Sequence, residues 1–240
     1  MVSDRMAAVL SLLDGDRARG ASPSSAAARA AVVLEVDGIC AGLGTGASGM
    51  VLAWGDEAVS AELEDLQFTL GQGPGPDAAA GGAAVLVPDL AVTGARWPQF
   101  APAAAVLGVC AVFALPLRIG AIGVGVLVAH RVTPGPLADG GFADAVALAE
   151  AVTLLLIHQQ SAAADPGGRT QTGPQQGRTG PETYRAQVHQ ATGMISAQLG
   201  VSLAEALVRL RAHAYAGDRL IAEVAAEVVA RRLYFGESDD

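Results

Sequence analysis

The sequence predicts an α+β protein, an antiparallel sheet covered by helices, followed by a small three-helix bundle. Three observations carry this. Strand-like apolar runs alternate with segments of helical periodicity over residues 1–160. The stretch SAAADPGGRTQTGPQQGRTGP at 161–181 has no apolar periodicity and is built from Pro, Gly, Gln, Thr and Ser. Beyond it, three apolar faces recur at helical spacing. At 240 residues and 51% apolar, the chain has material for one or two cores at ~150 residues per domain and is too apolar to be disordered throughout.

Residues 1–14 and 24–37 read as helices, the second starting at Ser24 or Ser25 after Pro23. Gly38–Gly44 and Met50–Trp54 read as strands joined by a Gly/Ser turn. Ala58–Phe68 has near-helical leucine spacing (Leu63, Leu66, Leu70), and Gly71–Asp77, GQGPGPD, is too rich in Gly and Pro for regular structure. Ala83–Val87 is a short strand ended by Pro88, and Trp97–Val106 a helix. Cys110–Ile119 and Ala121–His130 form a hairpin about Gly120, and Ala138–Gln159 is a long closing helix. Residues 161–181 cannot bury enough surface to offset the entropy of ordering them, so they read as a flexible linker.

The second domain, 182–235, opens with a helix over Glu182–Gln198, with Val188, Ala191, Ile195 and Leu199 on one face and Gly200 ending it. Ser202-Leu-Ala-Glu205 is a capping-box pattern opening a helix that buries Ala206, Leu207, Leu210 and Ala214 and stops at Gly217. A third helix starts at Asp218 as cap and carries Leu220, Val224, Ala225, Val228 and Leu233. Residues 236–240 are an acidic tail.

The net charge of −9 excludes a general nucleic-acid coat, because the mean field repels phosphate. The charge is unevenly placed. All 15 basic residues are arginine, and residues 1–180 hold nine of them against sixteen acids. Residues 181–235 hold six against five, so any nucleic-acid role belongs to the C-terminal part. Cys40 and Cys110 stand alone and read as core thiols; no zinc or disulfide framework is indicated. The N-terminus lacks a signal-peptide pattern, and the apolar stretch Trp97–Leu117 is broken by Pro98, Pro102, Gly108 and Pro116. A cytoplasmic protein without a membrane span is expected.

No catalytic constellation stands out, and the chain reads as a non-enzyme without cofactor or metal. GQGPG lacks GxGxxG spacing and the lysine of a P-loop. Asp56/Glu57 and Glu64/Asp65 read as solvated faces, and His130 and His158 as partly buried structural residues. The C-terminal helices differ in kind. Arg209, Arg211 and His213 cluster, with Arg219 across the Gly217 turn, and Gln190, Thr192 and Gly193 interrupt the first apolar face. A mid-helix glycine costs ~1 kcal/mol relative to alanine, which points to a packing or close-approach reason.

Val188 to Leu233 resembles the ANTAR domain of bacterial transcription antiterminators. The pattern is Ala191-x-Gly193-Met194, Gly200-Val-Ser202, Glu205-Ala206, Leu210-Arg211, Ala214, Leu220 and Val224-Ala225. Thr192 stands where many members carry lysine, which removes a possible phosphate contact. The first domain resembles the GAF domain joined to ANTAR in actinobacterial regulators. Its matching residues are Glu64–Phe68, Gly71–Pro74, Val87–Leu90, Arg96–Pro98, Ala111–Leu117 and Pro134–Leu137.

The resemblance implies a regulator that binds paired RNA stem-loops in nascent transcripts and prevents a terminator hairpin. It implies a GAF-like sensor (1–160) for an unknown small ligand and an ANTAR-like RNA-binding domain (182–235). A homodimer would present two modules, making the second contact intramolecular. The RNA face implied is Gln190, Ala191, Thr192 and Gly193, with Ser202, Arg211 and Arg219 nearby. Arg211 would contact phosphate or bases, and Gly193 would permit close approach. Two other readings remain at this point: a DNA-binding helix-turn-helix regulator, or a sensor whose C-terminal bundle contacts only proteins.

Overall fold

The computed structural model describes residues 2–19, 24–44, 51–55, 58–93, 95–163, 181–217 and 219–236, which fall into two compact units. The first has a five-stranded sheet of order β2-β1-β5-β4-β3, with β1 Gly38–Leu43, β2 Val51–Trp54, β3 Val85–Val87, β4 Ala111–Ile119 and β5 Ile122–Arg131. β5 pairs antiparallel with both β1 and β4, and β3 pairs antiparallel with β4. Gly120, at φ 59°, makes the β4–β5 turn between the paired Ile119 and Ile122, as its position predicts.

Side chains alternate across the sheet, and both faces are covered. Ile39, Ala41, Phe113, Leu115, Leu117, Leu127 and Ala129 share one core with α1 (Asp4–Arg19), α2 (Ser24–Leu34) and α7 (Gly141–Ala163). Ser3 ties the N-terminus to this layer. Its hydroxyl accepts from the Met6 N–H at the start of α1, and it donates to the buried Asp144 of α7 through backbone (2.7 Å) and hydroxyl (2.6 Å). The opposite face, with buried Cys40, Val112, Val126, Val128 and His130, packs beneath α3 (Ala58–Leu70) and α4 (Pro74–Gly81), and α6 (Phe100–Val106) packs against α3.

Of the predicted loop Gly71–Asp77, Gly71–Gly73 lie outside regular structure and Pro74–Asp77 open α4. Gly73 is its N-cap, and Pro74 and Pro76 lie in a first turn whose amides need no intrahelical partner. The Gly75 N–H instead donates to Gln67 Oε1 of α3, at 2.7 Å. A short helix, α5 (Leu90–Thr93), was not expected; the Asp89 carboxylate caps it by accepting from the Ala91 N–H. Asp77 accepts from Trp97 Nε1 and Arg96 Nε (3.1 and 3.0 Å), holding α4 to the segment before α6, which begins at Phe100 because Pro98 delays it.

Other boundaries shift. α2 ends at Leu34, where Glu35 takes a left-handed conformation (φ 54°). α7 runs on through 161–163, which the sequence assigned to the linker; the rest of that stretch, 164–180, lies outside the described residues. α7 is long and apolar enough to cross a membrane, with mean hydropathy 1.6 over Gly141–Gln159, but half of that stretch is buried inside its own unit.

The second unit contains α8 (Pro181–Leu199), α9 (Leu203–Ala216) and α10 (Ile221–Val229) among its described residues. Gly200 (φ 65°) ends α8, and the chain turns by 107° into α9. The core is Val188, Ala191, Ile195, Ala206, Leu207, Leu210, Ala214, Ile221, Val224, Ala225 and Val228. Ser202 caps α9 by accepting from the Glu205 N–H, while the Glu205 carboxylate takes Arg209 at 2.7 Å. The third helix starts later than predicted. Asp218, expected as its cap, lies outside the described residues, and so do 237–240 of the tail. Ile221 fills the core, leaving Leu220 65% exposed, and Leu233 lies beyond the helix end.

Candidate functional site

In the second unit, Gln190 and Gly193 lie toward solvent on α8, 300° apart on the helical wheel and therefore neighbours across one turn. Among the described residues a Cβ on Gly193 would meet nothing within 4 Å, so none of them requires glycine there. Ala191 is fully buried and Thr192 is 5% exposed. The Thr192 hydroxyl donates back to the Val188 carbonyl at 2.7 Å, satisfying itself within the helix. These two side chains therefore pack the bundle. Of the four residues expected to form the RNA face, Gln190 and Gly193 lie toward solvent, whereas Ala191 and Thr192 are buried in the bundle.

Ser202 is exposed, with its oxygen occupied by the α9 cap. Arg211 is half-buried beside the core positions Leu207 and Leu210, and burial pushes its guanidinium below its ordinary value, to about 10. It is still a cation at neutral pH. Arg219 meets Glu227 through two contacts of 3.0 Å and approaches Glu223 at 3.9 Å. The Glu227 hydrogen bond raises Arg219 further, and Arg219 in turn holds the Glu227 carboxyl below its ordinary value, with the fields of Arg232 and His213 acting in the same direction.

The first unit holds a buried polar cluster that sequence reasoning missed. Glu64, read as solvated, is 2% exposed, and Ser60, Gln67 and His130 are equally buried. Gln67 Nε2 donates to Glu64 Oε1 at 2.9 Å, Ser60 Oγ lies 3.4 Å from His130 Nδ1, and Cys40 Sγ lies 3.8 Å from the Ser60 carbonyl oxygen. The signal was available: Ser60, Glu64 and Gln67 fall at i, i+4, i+7 on the α3 face that buries Leu63. His158, by contrast, is exposed on α7, and Cys110 is only half-buried.

A cavity of about 180 Å³ opens between α4 and the β4–β5 hairpin, lined by Gly44, Gly82, Pro116, Arg118, Gly123 and Gly125 among others. Arg118 crosses it and donates to the Gly82 and Ala121 carbonyls at 2.7 and 3.1 Å. This is smaller than the ~300 Å³ lower end of ordinary small-molecule pockets.

Comparison with known proteins bears on both units. The ANTAR domain family matches residues 183–229. The GAF domain of a phosphoenolpyruvate-protein phosphotransferase from Coxiella burnetii superposes with a TM-score of 0.50 at 17% identity, covering 68% of this chain and all of that one. The corresponding GAF domain from Acinetobacter gives 0.48 at 14% identity, covering 68% of this chain and 99% of that one. The fold assignment rests on the first of these two. A comparison with curated proteins finds no match. An antiparallel five-stranded sheet with helices on both faces is the GAF fold, and residues 183–229, beyond that unit, match the ANTAR domain family.

Proposed function

We propose that this protein is a transcription antitermination regulator without catalytic chemistry. Its ANTAR domain binds paired RNA stem-loops in a nascent transcript, and its GAF unit senses a small ligand that controls that binding. The ANTAR match over 183–229 carries the reading. The face offered to RNA is Gln190 and Gly193 of α8, with Ser202, Arg211 and Arg219 as the neighbouring polar and cationic groups. Hairpin-loop bases are unstacked and can be read on their edges or stacked on guanidinium planes, whereas an A-form stem exposes little sequence.

Two modules per particle fit a weakly charged domain, because the second hairpin then binds at an effective concentration set by the first. A homodimer through the outer face of α7 supplies them; that face exposes Leu154 (61%) between Glu150 and His158, one turn to either side. Action on nascent transcripts places the protein in the cytoplasm. A helix-turn-helix reading is disfavoured: α10 opens by burying Ile221, and its first turn carries Glu223, where a recognition helix needs polar and basic side chains.

Gly193→Ala separates this role from a packing role. A methyl there has room and removes the helical cost of glycine, so the variant should be more stable by roughly 0.5–1 kcal/mol. If RNA approaches the α8 backbone, the same methyl should weaken binding to a two-hairpin RNA from the protein's own gene neighbourhood by about fivefold or more. Tighter folding with unchanged affinity would take the RNA face off α8.

A further inference from the structure

A second set of groups converges at the C-terminal end of α10. α10 ends in a Schellman motif: the Arg232 N–H donates to the Glu227 carbonyl (2.8 Å) and the Arg231 N–H to the Val228 carbonyl (2.9 Å). Arg231 occupies the left-handed position, at φ 57°, where glycine is the favoured residue. The chain then folds back over α8 and α9. The Phe235 N–H donates to Gln198 Oε1 at 3.1 Å, and its ring lies 5.2 Å from the His213 ring, tilted by 59°. Arg219, from the turn before α10, reaches the same place through Glu227. Arg231 and Arg232 are exposed, and Tyr234 is 64% exposed.

The corner therefore brings Arg219, Arg232 and His213 about Glu227, with Glu223 on Arg219 and the Phe235 ring against His213; the exposed Arg231 and Tyr234 adjoin it in the chain. The carboxylates of Glu223 and Glu227 are held by Arg219. Arg231 and Arg232 sit where the α10 carbonyl end attracts cations, yet each still turns toward solvent. An exposed tyrosine two residues beyond a guanidinium pair is the composition that takes a phosphate and an unstacked base together.

We propose that this corner is a second RNA contact of the ANTAR domain: Arg231 and Arg232 bind backbone phosphates, Arg219 exchanges Glu227 for a phosphate oxygen, and Tyr234 stacks on an unpaired base. The inference rests on the RNA-binding reading above and extends it to a surface that the α8 positions do not include. Single-residue variants of the full chain test it. Arg231→Gly suits its backbone conformation better than arginine, so Tm should rise by a few degrees. Arg232→Gln should leave Tm close to the parent's.

Both variants should bind the two-hairpin RNA about five- to tenfold more weakly. Each should also lower the slope of log K against log salt by about 0.7–0.9, the signature of one lost phosphate contact. Unchanged affinity and slope in both variants, with a parent that prefers hairpin RNA to duplex DNA, would overturn this inference and leave the RNA reading standing. A parent with no such preference would overturn both.

Discussion

Gly73→Ala is expected to destabilise the GAF-fold unit by about 3 kcal/mol, lowering its Tm by roughly 6–12 °C. Gly73 has φ 135°, a conformation that only glycine adopts readily, and an added Cβ would lie 2.6 Å from Gln67 Oε1 and 2.8 Å from its Cγ. Gln67 has little room to yield. It is 1% exposed, bonded to Glu64 on one side and to the Gly75 N–H on the other, so it joins α3 to the start of α4. Displacing it strands the buried Gly75 amide and removes a hydrogen bond from Glu64. Gln67→Ala should be costly by itself for that reason. The double variant should cost less than the two singles combined, since removing Gln67 removes the obstacle to the new methyl. Strict additivity by thermal or urea unfolding would show that glycine is needed there for its backbone alone.

Leu210→Ala should have the larger functional consequence. Leu210 is fully buried on α9, the helix that packs against both α8 and α10 in a unit with under sixty described residues. Truncation of a buried leucine costs about 2–5 kcal/mol, while a core of this size supplies only about 3–5 kcal/mol in total. The second unit should therefore be largely unfolded near 25 °C, with helical signal lost and hairpin binding abolished. The first unit's own transition should persist, because its core is built from its own residues. A variant that keeps full RNA affinity would mean that binding does not require the folded bundle.

Local punctuation explains how much was legible. Gly120, Gly200 and the Ser202 cap act within a few residues of themselves, so the hairpin turn and two helix ends could be read from spacing. α4 could not. Two prolines and three glycines in Gly71–Asp77 suit a loop by composition, and the helix depends on an acceptor from Gln67, which only the fold supplies. Glu64 was misread for a related reason: charge suggested solvent, whereas its helical phase with Leu63 and Gln67 places it inside. The same phase governs the ANTAR face. Ala191 and Thr192 lie on the arc of Val188 and Ile195 and are buried, while Gln190 and Gly193 lie off it. Leu220 and Ile221 show the limit of residue type alone; only the helix start at Ile221 decides which of the two enters the core.

The most direct test of the central claim is binding of the purified full-length protein to a two-hairpin RNA from its own gene neighbourhood. A single-hairpin RNA and duplex DNA serve as competitors, at two salt concentrations. Tightest binding to the paired hairpins, weaker binding to one hairpin, and a loss of affinity with salt that reflects a small number of phosphate contacts are expected. Equal affinity for RNA and duplex DNA at both salts, with or without a small-metabolite extract, would contradict that claim.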